Sequence, residues 1–189
     1  DIAGIEINSY KSVDGRSAAE IKLNNVSISS DSISGEIDNG YDALDATVDE
    51  ATLAICAEAT GIMKSLHDKT VEYSKNRVQF GIPIGGFQAL QHRMVDTLMA
   101  CEETESILLW AITTEQADKS ALKKAISGLK YQIGTAGKHV GQEAVQLHGG
   151  MGISWELDIA HLFKRLSAIE ILFGNADFHM KRFIALSNV

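Results

Sequence analysis

Arg77-Val-Gln-Phe-Gly-Ile-Pro-Ile-Gly-Gly-Phe-Gln-Ala-Leu-Gln-His92 closes one long amphipathic pattern and opens another. Gly81 and Pro83 stop the helix before it, because proline lacks a backbone N–H and glycine accepts the left-handed conformation that ends helices. Upstream, Leu44, Val48, Ala51, Ile55, Ala59, Ile62 and Leu66 recur at spacings of three and four, one face of a helix over about 42–77. Downstream, Phe87, Leu90, Met94, Leu98, Cys101 and Leu108 mark a second helix over about 86–113, with Glu102, Glu103 and Glu105 outside. A third, over about 119–147, carries Leu122, Ile126, Leu129, Ile133, Ala136 and Val140 and stops at the glycines after His148. Two shorter helices follow, about 156–173 and 176–187, split by Gly174-Asn175. Short links between long helices favour antiparallel neighbours. The predicted fold is mainly α, an antiparallel up-and-down helical bundle over residues 41–189.

Residues 1–40 follow a different period. Ile5-Glu-Ile7 and Ala19-Glu-Ile-Lys-Leu23 alternate apolar and polar residues, and Asp14-Gly15 is a turn between them. Three or four short strands are expected here, too few to close a core. They read as the end of a truncated β-domain. The chain starts at Asp1 in mid-pattern, so it is expected to be part of a longer protein.

Composition narrows the function. The net charge is −8 and no basic run occurs, which argues against nucleic acid and anionic membrane surfaces as partners. No apolar run approaches the ~20 residues of a membrane span, and no signal peptide is visible. Cys56 and Cys101 lie on apolar helical stripes and read as reduced core residues of a cytoplasmic protein. The six histidines are scattered without metal-ligand spacing, so no metal site is expected. Neither a Gly-x-Ser-x-Gly elbow nor a cysteine–histidine pairing supports nucleophilic catalysis.

Two junctions carry the candidate chemistry. Arg77 either complements the negative end of the first helix or offers a guanidinium fork to a pyrophosphate. Gln79 adds an amide, Phe80 an aromatic face, and Gly81, Gly85 and Gly86 permit close backbone approach. Gln88 and Gln91 add polar reach at the next helix start, whose free N–H groups favour anions. Far downstream, Gln146-Leu-His-Gly-Gly-Met-Gly152 has more glycines than a helix stop requires. His148 there reads as solvent-facing or capping, with contact to a ligand as the alternative.

Together these segments resemble the acyl-CoA dehydrogenase family. Arg77-Val-Gln-Phe-Gly and Phe87-Gln88 look like its Arg-x-x-Phe-Gly…Phe-Gln segment. Gln146-Leu-His-Gly-Gly-x-Gly152, Trp155-Glu156 and Lys164-Arg165 look like its second flavin segment. Asp14-Gly-Arg16 and Ala19-Glu20 resemble the end of its middle β-domain, and the similarity runs in order along essentially the whole chain. The resemblance implies FAD as cofactor and an acyl-CoA thioester as substrate. A carboxylate removes the α-proton, and the β-hydrogen leaves as hydride to the flavin. It implies that Arg77, Gln79 and Phe80 contact the flavin pyrophosphate and adenosine with Gln88 beside them. Gln146, Gly149 and Gly150 would contact the adenine-side half. That FAD is held mainly by a neighbouring subunit, so a homo-oligomer or an unlike partner subunit is expected, as is an electron-transfer acceptor.

The departures concern the base. Many members place a glutamate nine residues after the arginine that Arg165 matches, where this chain has Gly174. Others place it early on the first bundle helix, where an ungapped count lands on Ala51. Glu50 is adjacent to it, and Glu58 lies two turns further on the same face. Both are candidates for the base, and both also read as exposed helix glutamates. The position after the early glutamate, often arginine, is Thr52. The Gly174, Trp155-Glu156 and Leu172-Phe-Gly174 context resembles members that pair unlike subunits on bulky or dicarboxylic acyl-CoA substrates. There, one subunit lacks the base yet completes the flavin site. The alternative is a non-catalytic assembly module that only completes a partner's site.

Overall fold

The computed structural model describes residues 3–114 and 118–188. The chain divides into two compact units, residues 1–48 and 49–189. In the first, strands β1 (Ile5–Lys11) and β2 (Ser17–Leu23) form an antiparallel ribbon with Ile5 opposite Leu23 and Ile7 opposite Ile21. The turn closes as the Ser12 N–H donates to the Arg16 carbonyl at 2.8 Å, with Gly15 at φ +81° and the Ser12 hydroxyl on Asp14. The expectation of three or four strands is corrected to two among the described residues up to 40. After Asn24 the Ser-rich run forms only a short 3-10 turn at Ser30–Ser32. Serine and aspartate side chains bond locally there, Ser29 to Ser32 and Ser30 to Asp31, which competes with a strand ladder. Both faces of the ribbon are largely exposed, including Ile7, Ile21 and Leu23, and two strands alone enclose nothing.

Among the described residues, five α-helices dominate the rest: α1 (Tyr41–Asn76), α2 (Gln88–Thr113), α3 (Lys119–His148), α4 (Asp158–Ile171) and α5 (Ala176–Ser187). Their cross-contacts fix direction. Ser74 meets Met94 and Lys64 meets Glu105, so α1 and α2 are antiparallel. Arg93 at the start of α2 bonds Glu143 near the end of α3 at 2.6 Å. Along α3, Gly141 faces Phe163, Gly137 faces Leu166, Gly134 faces Ala176 and Gly128 faces Phe183. The α4 and α5 segments therefore both run opposite to α3, one after the other. The bundle has four staves, with the fourth broken between α4 and α5. The break falls where the helix signals change: the α4 pattern ends before Phe173 and Gly174, both at positive φ, and Asn175 caps α5 by accepting from the Phe178 N–H.

The core joins Cys56, Ala59, Met63 and Leu66 of α1 to Ala125, Leu129, Ile133, Val140, Leu166 and Ile169. The α3 stripe falls where its periodicity puts it. The α1 and α2 stripes shift. On α1, Ala59, Ile62 and Leu66 of the expected stripe are buried, joined by Thr52, Cys56, Met63, Thr70 and Ser74, while Leu44 is 63% exposed. On α2, Thr97, Cys101, Thr104 and Ala111 are buried and Leu98 is 43% exposed. Buried threonines cause the shift, since Thr60, Thr70 and Thr104 return their hydroxyls to the carbonyl four residues back and so count as apolar surface. Both cysteines are buried and unpaired. Burial pushes the Cys56 thiol up to about 12 and Cys101 up to about 11.

The glycines of α3 are packing positions. A Cβ added at Gly134 would sit 2.8 Å from the Ala176 Cβ, and at Gly141 2.7 Å from the Phe163 ring. Exposed Gly61 on α1 meets nothing within 4 Å. Gly61→Ala is expected to stabilise the protein by about 0.5–1 kcal/mol through backbone entropy alone. Gly134→Ala is expected to destabilise it by about 1–2 kcal/mol, since overpacking exceeds the same gain. Urea unfolding of both variants checks the pair, and equal shifts would contradict the packing.

Candidate functional site

The end of α1, the segment after it and the end of α3 meet around a cavity of about 400 Å³. It is lined by Tyr73, Arg77, Gln79 and Ile84 from one side and by residues 146–151 from the other. Five of the sequence-predicted residues, Arg77, Gln79, Gln146, Gly149 and Gly150, come together there. Phe80 and Gln88 do not line it.

Local chemistry builds each wall. After α1, Val78–Gln79 pairs with Ile82–Pro83 as a miniature hairpin, β3 with β4. Phe80 and Gly81 form its two-residue turn at φ +54° and +84°. This turn type demands positive φ at both central positions, which glycine tolerates and phenylalanine resists. Gly81 thus serves the turn rather than ligand approach, and Phe80 stands 93% exposed at the tip, edge-on to Phe87. Gly85 is also reassigned: a Cβ there would lie 3.1 Å from the Ser74 carbonyl and hydroxyl, so its bareness lets the hairpin lie against α1. Gln91 donates to the Gly85 carbonyl at 2.8 Å. The Arg77 side chain is exposed and makes no hydrogen bond or ion pair with the described residues.

On the other wall, His148 corrects its sequence reading: it is 5% exposed, neither solvent-facing nor a surface cap. Its Nδ1–H donates to the Ala144 carbonyl at 2.8 Å, and its ring stacks on Tyr73 at 4.3 Å. The Tyr73 hydroxyl donates to the His148 carbonyl at 3.4 Å. This clasp ties α1 to the glycine loop, and the sequence reading missed Tyr73. Its signal was the spacing of four from Arg77, which places both on one helix face. Gly149 turns at φ +61°, and added Cβ atoms at Gly149 and Gly150 would meet open space. Gly152 instead packs against Val145, where a Cβ would lie 2.5 Å from the carbonyl. Two bare glycines and one free guanidinium therefore face the cavity, suited to a ligand with anionic oxygens and a flat group.

The candidate bases sit elsewhere. Glu50 is exposed on α1. Glu58 is not an exposed helix glutamate: both oxygens accept from the Arg165 fork at 2.7 Å. Its neighbour in the reading, Asp49, went unremarked, yet it is buried and paired with both terminal nitrogens of Arg182 at 2.5 and 2.8 Å. For Glu58 to take a proton, a bidentate pair tying α1 to α4 must break. Gly174 sits in the α4–α5 break. Among the described residues, no group of three or more histidines, cysteines or carboxylates is placed to hold a metal ion. No helix there is long and apolar enough to cross a membrane.

Fold and cavity define a four-stave helical domain with a polar cavity at one end. The sequence pattern described as "Acyl-CoA dehydrogenase, C-terminal domain" matches residues 38–186, and the chain belongs to the acyl-CoA dehydrogenase family. It is 41% identical over 126 residues to acyl-CoA dehydrogenase IpdE2 of Mycolicibacterium smegmatis, covering 67% of this chain and 39% of that one. A variant of the Tcur3481-Tcur3483 steroid ACAD is similar at TM-score 0.85 and 26% identity, over 100% of this chain and 50% of that one. PigA with FAD and proline shares the fold at TM-score 0.91 and 23% identity, over 99% and 49%. The chain spans at most about half the length of the relatives it matches.

Burial lowers the proton affinity of His148, His67 and His179 below the ordinary value of 6.5. The unfolded chain takes up these protons near pH 6.5 and the folded chain only below it, so folding stability falls as pH drops through that window. A His148→Phe variant loses the Ala144 bond but no longer resists protonation. The stability gap between parent and variant is expected to narrow from pH 7.5 to 5, measured by urea titration at each pH. A constant or widening gap would count against a neutral, buried His148.

Proposed function

We propose that this chain is the FAD-contacting C-terminal part of an acyl-CoA dehydrogenase, completing a flavin site shared with a neighbouring subunit. Residues 1–40 are then the end of the middle β-domain and 41–189 the C-terminal bundle domain. The observation that carries the reading is the convergence of Arg77, Gln79, Gln146, Gly149 and Gly150 on one cavity, in a chain of this family. Arg77 fits the pyrophosphate, because its fork is unpaired and delocalised charge suits phosphate oxygens. Gln79 and Gln146 fit polar edges of the adenosine. Gly149 and Gly150 fit close backbone approach, since nothing fills the space their side chains would take. Phe80 and Gln88 stand outside the cavity and would reach only a ligand that extends past the hairpin tip.

When bound, the flavin supplies the two-electron acceptor for α,β-dehydrogenation of an acyl-CoA thioester. This chain binds and orients it, and Tyr73 and His148 hold the two walls in register. Among the described residues, no free buried carboxylate stands at the bundle end of α1, where Asp49 and Glu58 are engaged by arginines. That supports a subunit without its own base, paired with an unlike subunit that has one. The name of the two-protein steroid ACAD also supports such an assembly. A non-catalytic assembly module remains the second reading, favoured by the same Gly174. Flavin retention by the full-length protein, with and without a co-expressed partner, separates the two.

Arg77→Gln in the full-length protein is expected to weaken FAD retention by roughly 10- to 100-fold, the scale of a lost charge-assisted hydrogen bond. Folding should be unchanged, because the guanidinium supports nothing in the described chain. Flavin absorbance after dialysis reads the first, circular dichroism the second. Residues 1–189 alone are expected to purify without a flavin band, since half a site binds weakly. Retention equal to the parent in Arg77→Gln would refute the assignment.

A further inference from the structure

Gly174, where family resemblance leads one to look for a base, lies in a loop tied to α3 and α5 by buried side chains. Lys130 of α3 is 0% exposed, and its ammonium faces no carboxylate at bonding distance among the described residues. It donates instead to the Glu170 carbonyl at 2.8 Å and the Gly174 carbonyl at 2.6 Å. The first is one of the carbonyls a helix end leaves unpaired, so a cation there caps α4 and opposes its dipole. His179 of α5, 1% exposed, donates from Nε2 to the Phe173 carbonyl at 3.0 Å. The Glu170 carboxylate accepts from the Ala176 N–H at 3.3 Å. Three carbonyls and the first amide of the next helix are thereby spoken for.

The space beside position 174 is also taken. Gly174 has φ +101°, and a Cβ there would lie 2.5 Å from the Phe178 ring and 3.1 Å from His179 Nε2. Phe173 adopts φ +57°, a conformation costly for an aromatic residue, which persists only where surroundings over-determine it. Lys130 and His179 supply that constraint.

We propose that the α4–α5 break is a clamped junction, held by Lys130 and His179, that strains any side chain introduced at position 174. The proton acceptor of the proposed reaction therefore stands outside this turn. The inference rests on the acyl-CoA dehydrogenase reading for its functional consequence, and on the clamp geometry alone for its structural one. A vacated catalytic position would leave room for a carboxylate and flexible backbone. Here a side chain at 174 must displace the half-exposed Phe178 ring and crowd the buried His179, while the loop carbonyls are already held.

The test uses the full-length protein and three variants. Lys130→Met removes both bonds while keeping the apolar stem. It is expected to raise amide exchange over residues 172–176 by roughly 10- to 100-fold, as for loss of bonds from a charged donor. Exchange at 146–152 and flavin retention should stay as in the parent. Gly174→Glu is expected to lower the thermal midpoint and to add no turnover with butyryl-CoA or octanoyl-CoA and a ferrocenium acceptor. If Lys130→Met does not accumulate folded, His179→Phe gives the same exchange reading through Phe173. Unchanged exchange in the folded variant, or a Gly174→Glu protein that keeps its midpoint and gains turnover, overturns the proposal. Absence of flavin from the parent would instead sink the cofactor reading, and the exchange and melting results would still decide the clamp.

Discussion

The close approach of the fourth stave to α3 governs this structure. Gly134, Gly137 and Gly141 present backbone where other helices present side chains, and Ala176, Leu166 and Phe163 fill that space. Dispersion contacts at such short range reward complementary shape more than hydrophobicity. Because the stave lies so near, the α4 end falls within reach of a lysine on α3. Lys130 can then be buried without a counter-ion at bonding distance: two carbonyl dipoles at a helix terminus replace the solvation it loses. Desolvation still lowers its proton affinity. The break between α4 and α5 is thus a held discontinuity, with the carbonyls of Glu170, Phe173 and Gly174 paired.

Charge does its structural work on α1. Asp49 and Glu58 are nine residues apart, and each meets an arginine fork from a different half of the fourth stave. The pairs tie α1 to α4 and to α5 separately, on either side of the break. Such bidentate pairs fix geometry through two parallel bonds, and their value lies more in register than in net stability. Their functional cost is that Asp49 and the candidate base Glu58 are committed to structure.

The cavity at the other end follows from the same bundle. The α1 and α3 helices run parallel, with Cys56 near Lys130 and Tyr73 on His148, so their C-terminal ends arrive together. Both ends are followed by glycine-bearing loops, one through a hairpin at Phe80-Gly81 and one through Gly149. The Tyr73–His148 stack sets the spacing of these loops, which otherwise have little side-chain mass to hold them. Arg77 then stands at a helix terminus beside bare backbone, with no protein partner among the described residues.

Much of this was legible in the residues. The period of 3.6 gave five helices with ends within a few residues, and Asn175 after Gly174 announced the break. Arg77, Gln79, Gln146, Gly149 and Gly150 were singled out through the family resemblance of their two segments, and they line one cavity. Lys130 was passed over, although it follows Ile126 by four and precedes Ile133 by three, on the buried stripe. Other features depended on tertiary contact. Threonines that bond their own helix displaced the apolar stripes of α1 and α2, and no periodicity of hydrophobic residues reports that. Gly81 and Gly85 were assigned to a ligand until a hairpin turn and the Ser74 carbonyl claimed them. Glu58 read as exposed because its partner lies 107 positions away. Sequence by itself determined the elements and the family, since helix periodicity and capping are local. Only the folded structure decided which glycines face a cavity, which carboxylates are free and why position 174 is closed, because each depends on what a distant segment places beside it.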